Sequence, residues 1–87
     1  MRSLEGSHPV IEYPCSWPYR IVCSDEATVR AAIVRIVGAS EHTLAKVGDS
    51  SSGRYQRLEL VVTVRDEAQR NEIFSALTSV PSVRFVL

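Results

Sequence analysis

The sequence lacks long hydrophobic runs, and its apolar residues occur only a few at a time, as at Leu60-Val61-Val62. A helix that spans a bilayer needs about 20 mostly apolar residues in succession. The first nine residues also contain no apolar segment of the kind that a secretory signal requires. These absences predict a protein with no membrane partner and a cytoplasmic location.

An excess of one charge is also missing, because 10 Lys and Arg residues balance 10 Asp and Glu residues. A balanced chain has no long-range positive field of the kind that proteins use to bind nucleic acids or anionic membranes without specificity. That class of protein is therefore disfavoured, and only a local basic patch remains open.

Cysteine is scarce, since Cys15 and Cys23 are the only two and no CxxC motif or histidine pair accompanies them. A zinc site or a redox motif would need closer and more numerous ligands. We therefore predict two reduced thiols, no metal site and no cofactor.

What is present suits one domain, because 87 residues can bury a single core. Residues 1–12 have no hydrophobic period and predict a flexible lead-in, so we expect the folded domain at 13–87. A hydrophobic period of two predicts strands at 17–23, 42–48, 55–64 and 83–87. A helical period predicts helices at 25–37 and 66–78.

The predicted helix ends carry capping residues. Ser24 is the predicted cap of the first helix, and Gly38 suits its end. Asp66 and Gln69 resemble a capping box at the start of the second helix. The apolar stripe of that second helix is predicted to be Ala68, Ile73, Phe74 and Leu77.

The order β-α-β-β-α-β predicts an α+β fold, the ferredoxin-like βαββαβ sandwich. Its antiparallel sheet has the strand order 4-1-3-2, and both helices cover one face. The residues predicted for the other, open face are Arg20, Val22, Arg57, Glu59, Val61, Thr63, Arg84 and Val86. This mixture of arginine and valine predicts a surface that binds a partner.

Three stretches resemble the YbeD-like family of small, largely uncharacterised bacterial proteins. They are Glu12-Tyr13-Pro14 with the following Trp17-x-Tyr19-Arg20-Ile21, then Ser50-Ser51-Ser52-Gly53-Arg54-Tyr55, and Val83-Arg84-Phe85-Val86-Leu87. The resemblance runs over most of residues 11–87. It implies a ferredoxin-like fold similar to the ACT regulatory domains, with no established activity.

Two surfaces are candidate binding sites. The open face offers Arg20, Arg57, Val61 and Arg84, and the loop at 49–55 offers Ser51, Ser52, Gly53, Arg54 and Tyr55. The loop's backbone N–H groups could cradle a phosphate, but a plain hairpin loop is favoured because no P-loop spacing is present. The family resemblance at this loop adds weight to it as a functional surface.

The favoured function is a non-catalytic regulatory or interaction module, similar to ACT domains. It would bind a protein partner, a second copy of itself or a small-molecule ligand. The alternative is a small RNA-binding domain that uses the arginine-bearing face, although the face as predicted lacks the stacking aromatic residues of such domains.

An enzyme is disfavoured because no pattern marks an activated nucleophile near His8 or His42. The acidic residues that open each predicted helix are explained by the helix dipole. A chain resembling the small acylphosphatases would carry an arginine in the loop after the first strand, and residues 23–26 contain none.

Overall fold

The structure is a computed structural model, and it describes residues 10–87. Most of the lead-in predicted at 1–12 lies outside these residues, and so does His8. The elements in chain order are β1 (Cys15–Cys23), α1 (Glu26–Val37), β2 (His42–Asp49), β3 (Gln56–Val64), α2 (Glu67–Thr78) and β4 (Val83–Val86). Neither helix in this range has the length and hydropathy needed to cross a bilayer.

The four strands form one antiparallel sheet in the order β2-β3-β1-β4. This is the predicted order 4-1-3-2 read from the opposite edge, so the ferredoxin-like α+β fold is confirmed. The first strand begins at Cys15, two residues before the predicted start at Trp17. The other boundaries fall within one residue of the prediction because the hydrophobic periods of those segments are clear.

The core lies between the helices and one face of the sheet. The alternating residues of β3 that were predicted to face inward are fully buried, and so are Ile21 and Cys23 of β1. The buried residues of β3 are Leu58, Leu60, Val62 and Val64. Val29, Ala32, Ile33 and Val37 of α1 pack against them, as do Ile73 and Leu77 of α2. Cys15 is half-buried and Cys23 is buried, and neither forms a disulfide within residues 10–87.

The prediction that Ser24 caps α1 is wrong. Asp25 is the N-cap, and its carboxylate accepts hydrogen bonds from the backbone N–H of Thr28 at 3.2 Å and from the hydroxyl of Thr28 at 2.7 Å. The backbone N–H of Ser24 instead donates to the carbonyl of Ser82 at 2.9 Å, which joins the chain after β1 to the chain before β4.

The predicted stripe of α2 is wrong in two of its four residues, because Ala68 and Phe74 are exposed. Gln69 is buried on the inward side instead. Its side-chain oxygen accepts from the backbone N–H of Arg65 at 2.7 Å, and its side-chain nitrogen donates to the hydroxyl of Ser40 at 2.9 Å. A buried amide with both ends bonded costs little, so a polar residue can take an inward position.

The prediction that Val86 lies on the open face is also wrong. Val86 pairs with Ile21 of β1 and is buried in the core, whereas Phe85 pairs with Val22 and is exposed. The register of β4 shifts between Val22 and Cys23 of β1. This irregularity changes which residues of β4 face the helices.

Strand β1 is longer than the strand beside it. Arg20 exchanges backbone hydrogen bonds with Leu87, and among residues 10–87 no strand pairs with the earlier part of β1 on that side. The backbone N–H and C=O groups of a strand point to its two sides alternately. Those of Ser16 and Pro18 therefore point to this uncovered side, as those of Arg20 do. Pro18 has no N–H to offer there.

Candidate functional site

The open face of the sheet carries the residues that the two central strands place opposite one another. Arg20 of β1 pairs with Glu59 of β3, and Val22 of β1 pairs with Arg57 of β3. Because paired residues of neighbouring strands point to the same side, these four side chains lie together on the open face.

A β-bulge in each edge strand adds one more side chain beside this central group. In β2 the register shifts between Lys46 and Gly48, which places Val47 in the bulge with 48% of its surface exposed. In β4 the shift skips Arg84, which lies between the residues paired with Val22 and Cys23. Both bulges lie at the end of the sheet next to the 50–55 loop.

Gly48 leaves room for the guanidinium of Arg57. A Cβ atom on residue 48 would lie 2.5 Å from Nη2 of Arg57, closer than real Cβ atoms approach other heavy atoms. The guanidinium therefore lies directly over the glycine. Glycine at a bulge often marks such a close approach.

These features form an open groove of about 470 Å³, which we call the face groove. It is lined by Arg20, Ile21, Val22, Val47, Arg57, Leu58, Phe85 and Leu87. Phe85 and Leu87 are 51% and 74% exposed. Large exposed apolar residues gathered around a groove are typical of a binding surface.

The charges of the face groove are not balanced within the part of the chain that the structure describes. Arg20 forms an ion pair with Glu59 at 3.0 Å between Nε and Oε2. Among residues 10–87, Arg57 and Arg84 have no carboxylate within 4.0 Å. Lys46 bonds Asp49 at 2.9 Å, and that hydrogen bond raises the pKa of Lys46.

Tyr55 connects the loop to the open face. The guanidinium of Arg84 lies 5.5 Å from the centre of the Tyr55 ring, a cation–π arrangement. Val22 and Phe85 line the same shallow depression as this pair. The two surfaces that the sequence offered as separate candidates therefore meet at Tyr55 and Arg84.

The backbone donors in the remainder of the loop form hydrogen bonds within the loop. The backbone N–H groups of Gly53 and Ser50 donate to carbonyls within the loop at 2.8 Å each, and those of Arg54 and Tyr55 donate to serine hydroxyls. Gly53 has a φ of 74°, which a glycine adopts without strain. With these donors in use, a plain hairpin loop describes the segment better than a phosphate cradle.

The predicted site residues are thus only partly brought together. Arg20, Arg57, Arg84 and Tyr55 surround the face groove or adjoin it. Val61 lies on the same face but toward its other end, in a depression with His42 and Thr43. Ser51, Ser52, Gly53 and Arg54 are exposed in the hairpin loop.

Three residues of the face groove were not predicted from the sequence to lie there: Val47, Phe85 and Leu87. Alternation with a strict period of two cannot place both Arg84 and Phe85 on one face. The residues after Arg84 are all apolar, so none of them marks the shift. The only signal for Val47 is the neighbouring Gly48, since glycine within a strand suggests a bulge.

An aromatic cluster lies on the helix side of the sheet. The guanidinium of Arg70 lies 4.4 Å from the centre of the Trp17 ring and donates to the hydroxyl of Tyr13 at 3.0 Å. The buried hydroxyl of Tyr19 donates to the carbonyl of Arg70 at 2.7 Å, and burial raises the pKa of Tyr19 to about 12. These contacts attach α2 to β1.

Within residues 10–87, no three His, Cys, Asp or Glu side chains lie close enough together to hold a metal ion. His42 is exposed, and its Nδ1 lies 3.0 Å from the carbonyl oxygen of Ser40.

Comparison with known proteins gives the same fold. The chain is 30% identical over 84 residues to the UPF0250 protein of Shewanella woodyi, covering 90% of this chain and 91% of that protein. The solution structure of protein HP0495 from Helicobacter pylori aligns with a TM-score of 0.83 and 24% identity, over 95% of this chain and 91% of that one. The ACT domain of a GTP pyrophosphokinase from Chlorobium tepidum aligns with a TM-score of 0.55 and 16% identity, over 83% of this chain and 94% of that one.

The family model described as "Protein of unknown function (DUF493)" matches residues 8–87. This match confirms the resemblance that the three sequence stretches indicated, since UPF0250 is the family to which YbeD belongs. The protein belongs to the DUF493 (UPF0250) family of uncharacterised bacterial proteins, and its fold is the ferredoxin-like fold shared with ACT domains.

Proposed function

We propose that this protein is a non-catalytic interaction module that binds a protein partner through the open face of its sheet. The observation that carries this proposal is the exposure of Phe85 at 51% on that face, beside Val47 and Leu87. Aromatic residues are enriched at the centres of protein interfaces.

The ACT-like fold supports the proposal in a general way. Such a fold covers one face of its sheet with helices and leaves the other face available, so its functional variety resides in that face and the adjoining loops. Here the open face has a groove, two bulges and a mixture of apolar and cationic side chains. A purely solvated face would carry fewer apolar residues.

Phe85 and Phe74 offer a matched pair of variants, because both are exposed phenylalanines in regular elements on opposite sides of the sheet. Immobilised protein should capture its partner from a lysate of a bacterium that encodes it. We expect Phe85→Ser to lose that partner and Phe74→Ser to retain it, with both variants folded by circular dichroism. Equal capture by the wild type and Phe85→Ser would contradict the proposal.

One structural observation supports a second candidate function, RNA binding. The face predicted from the sequence lacked stacking aromatic residues, which disfavoured RNA, but Phe85 and Tyr55 lie beside Arg84 in the structure. Single-stranded RNA binds such aromatic and arginine surfaces by stacking. Fluorescence polarisation with a labelled eight-nucleotide RNA tests this candidate, since binding that Phe85→Ser and Tyr55→Ser both weaken would favour RNA over protein.

A further inference from the structure

We propose that the face groove recognises an acidic polypeptide segment in which carboxylates alternate with aliphatic residues, and that Arg57 binds one of the carboxylates. This inference rests on the proposed function and names the chemistry of the partner. Three features of the groove lead to it: its charge, the position of Arg57 and its apolar rim.

The charge of the groove favours an anionic partner. Around the face groove there are three arginines, Arg20, Arg57 and Arg84, and one acidic side chain, Glu59, which is the ion-pair partner of Arg20. The other acidic residue of this face, Glu41, lies toward its opposite end. Within the described residues, Arg57 and Arg84 are left without a carboxylate, which gives this surface a positive charge although the whole chain has a formal net charge of zero. Complementary charges raise the rate of association and select the partner.

The position of the Arg57 side chain depends on the glycine beside it. Its guanidinium lies over Gly48, in a space that any other residue at position 48 would occupy with its Cβ atom. A planar guanidinium can bind a carboxylate through two parallel hydrogen bonds. Because no carboxylate among residues 10–87 pairs with Arg57, its guanidinium is open to such a partner.

The apolar rim distinguishes a polypeptide from other anions. Val22, Val47 and Phe85 lie between and beside the cationic groups, so an anion with continuous charge, such as a nucleic acid, would place phosphates against apolar side chains and against Glu59. An acidic peptide with intervening leucine or valine residues matches both components of the surface.

A second copy of this chain is a poor occupant of the same groove. Symmetric pairing through this face brings the same patch of each protomer together. A surface with an excess of arginine would then meet another surface with the same excess, and like charges brought together at an interface are strongly unfavourable.

The test uses three fluorescent peptides of equal length with the repeat Glu-Leu-Ser, Gln-Leu-Ser or Lys-Leu-Ser. We expect the Glu peptide to bind at least about tenfold more tightly than the Gln peptide, and the Lys peptide to bind least. Increasing the salt concentration from about 50 mM to about 300 mM should weaken binding of the Glu peptide most, because salt screens exposed charges.

Variants then assign the carboxylate to Arg57. Arg57→Gln should weaken binding of the Glu peptide about tenfold and leave binding of the Gln peptide unchanged. Gly48→Ala keeps the charge of Arg57 but displaces its guanidinium, and it should also weaken binding of the Glu peptide. Arg35→Gln is the matched control, because Arg35 is exposed on α1 on the other side of the sheet.

The outcomes separate this inference from the proposed function. If the Glu and Gln peptides bind equally and both depend on Phe85, the face binds a partner but does not recognise carboxylates, and the inference is overturned alone. If no peptide binds, the inference is overturned, and the capture experiment with Phe85→Ser decides the function. If single-stranded RNA binds more tightly than the Glu peptide in an Arg57-dependent way, the polypeptide partner is overturned.

Discussion

At the scale of single residues, the buried side chains are those whose burial the sequence shows most directly. Leu58, Leu60, Val62 and Val64 alternate without interruption, so their inward orientation followed from the period alone. Gln69 could not be placed in the same way. Its burial depends on Ser40, which is 29 residues away in sequence and becomes a neighbour only in the folded chain.

Tyr19 carries a pH dependence that can be measured. Burial raises its pKa to about 12, above the ordinary value of 10.0, so the folded protein keeps the phenol protonated where the unfolded chain has lost the proton. The stabilisation is complete below about pH 10, and it is lost as the pH rises from about 10 to about 12. Denaturant titrations across this range should show the decline.

Absorbance at alkaline pH provides the control for Tyr19. Titration of tyrosinate in the folded protein should contain a component with a midpoint near pH 12, and Tyr19→Phe should lack that component. A wild-type titration that is complete below pH 11 while the protein is still folded would contradict the assignment.

At the scale of elements, the order of helices and strands was predictable because each segment has a clear period. The irregularities within elements were not. Bulges in β2 and β4 change which residues reach the open face, and both depend on pairing with another strand. The sequence therefore predicted Arg20 and Arg57 on that face correctly but exchanged Val86 for Phe85.

Capping at the start of α2 gives a prediction at this scale. The carboxylate of Asp66 accepts from the backbone N–H of Gln69 at 2.8 Å, so Asp66→Ala should lower the free energy of unfolding by about 1 kcal/mol. Glu72→Ala is the matched control, since Glu72 is exposed in the middle of α2 and does not cap the helix, and it should change stability by less than about 0.5 kcal/mol. Equal losses in urea denaturation would mean that the cap is not what stabilises this end.

At the scale of the whole molecule, the distribution of charge matters more than its total. A chain with zero formal net charge nevertheless has a positive open face, because part of its negative charge lies at the helix starts and on the helix side. Composition alone could not reveal this separation. It required the fold to assign each strand residue to a face.

The positive open face predicts the association state of the isolated protein. Because symmetric pairing of that face opposes like charges, purified protein should be a monomer of about 9.7 kDa by light scattering at low salt. The double variant Arg57→Glu, Arg84→Glu reverses the charge of this face. Its solubility and its mass in solution are compared with those of the wild type. A stable wild-type dimer that either Phe85→Ser or Val47→Glu dissociates would show that the face binds a second copy instead.

Pro18 also affects how the protein behaves when it is concentrated. On the side of β1 that no strand among residues 10–87 covers, the segment from Ser16 to Pro18 offers one N–H, that of Ser16, because Pro18 has none. A strand from another molecule would gain few hydrogen bonds by adding to the sheet there, and proline on a sheet edge is one way in which proteins avoid growing into filaments. Contacts along this part of the sheet edge should therefore be brief.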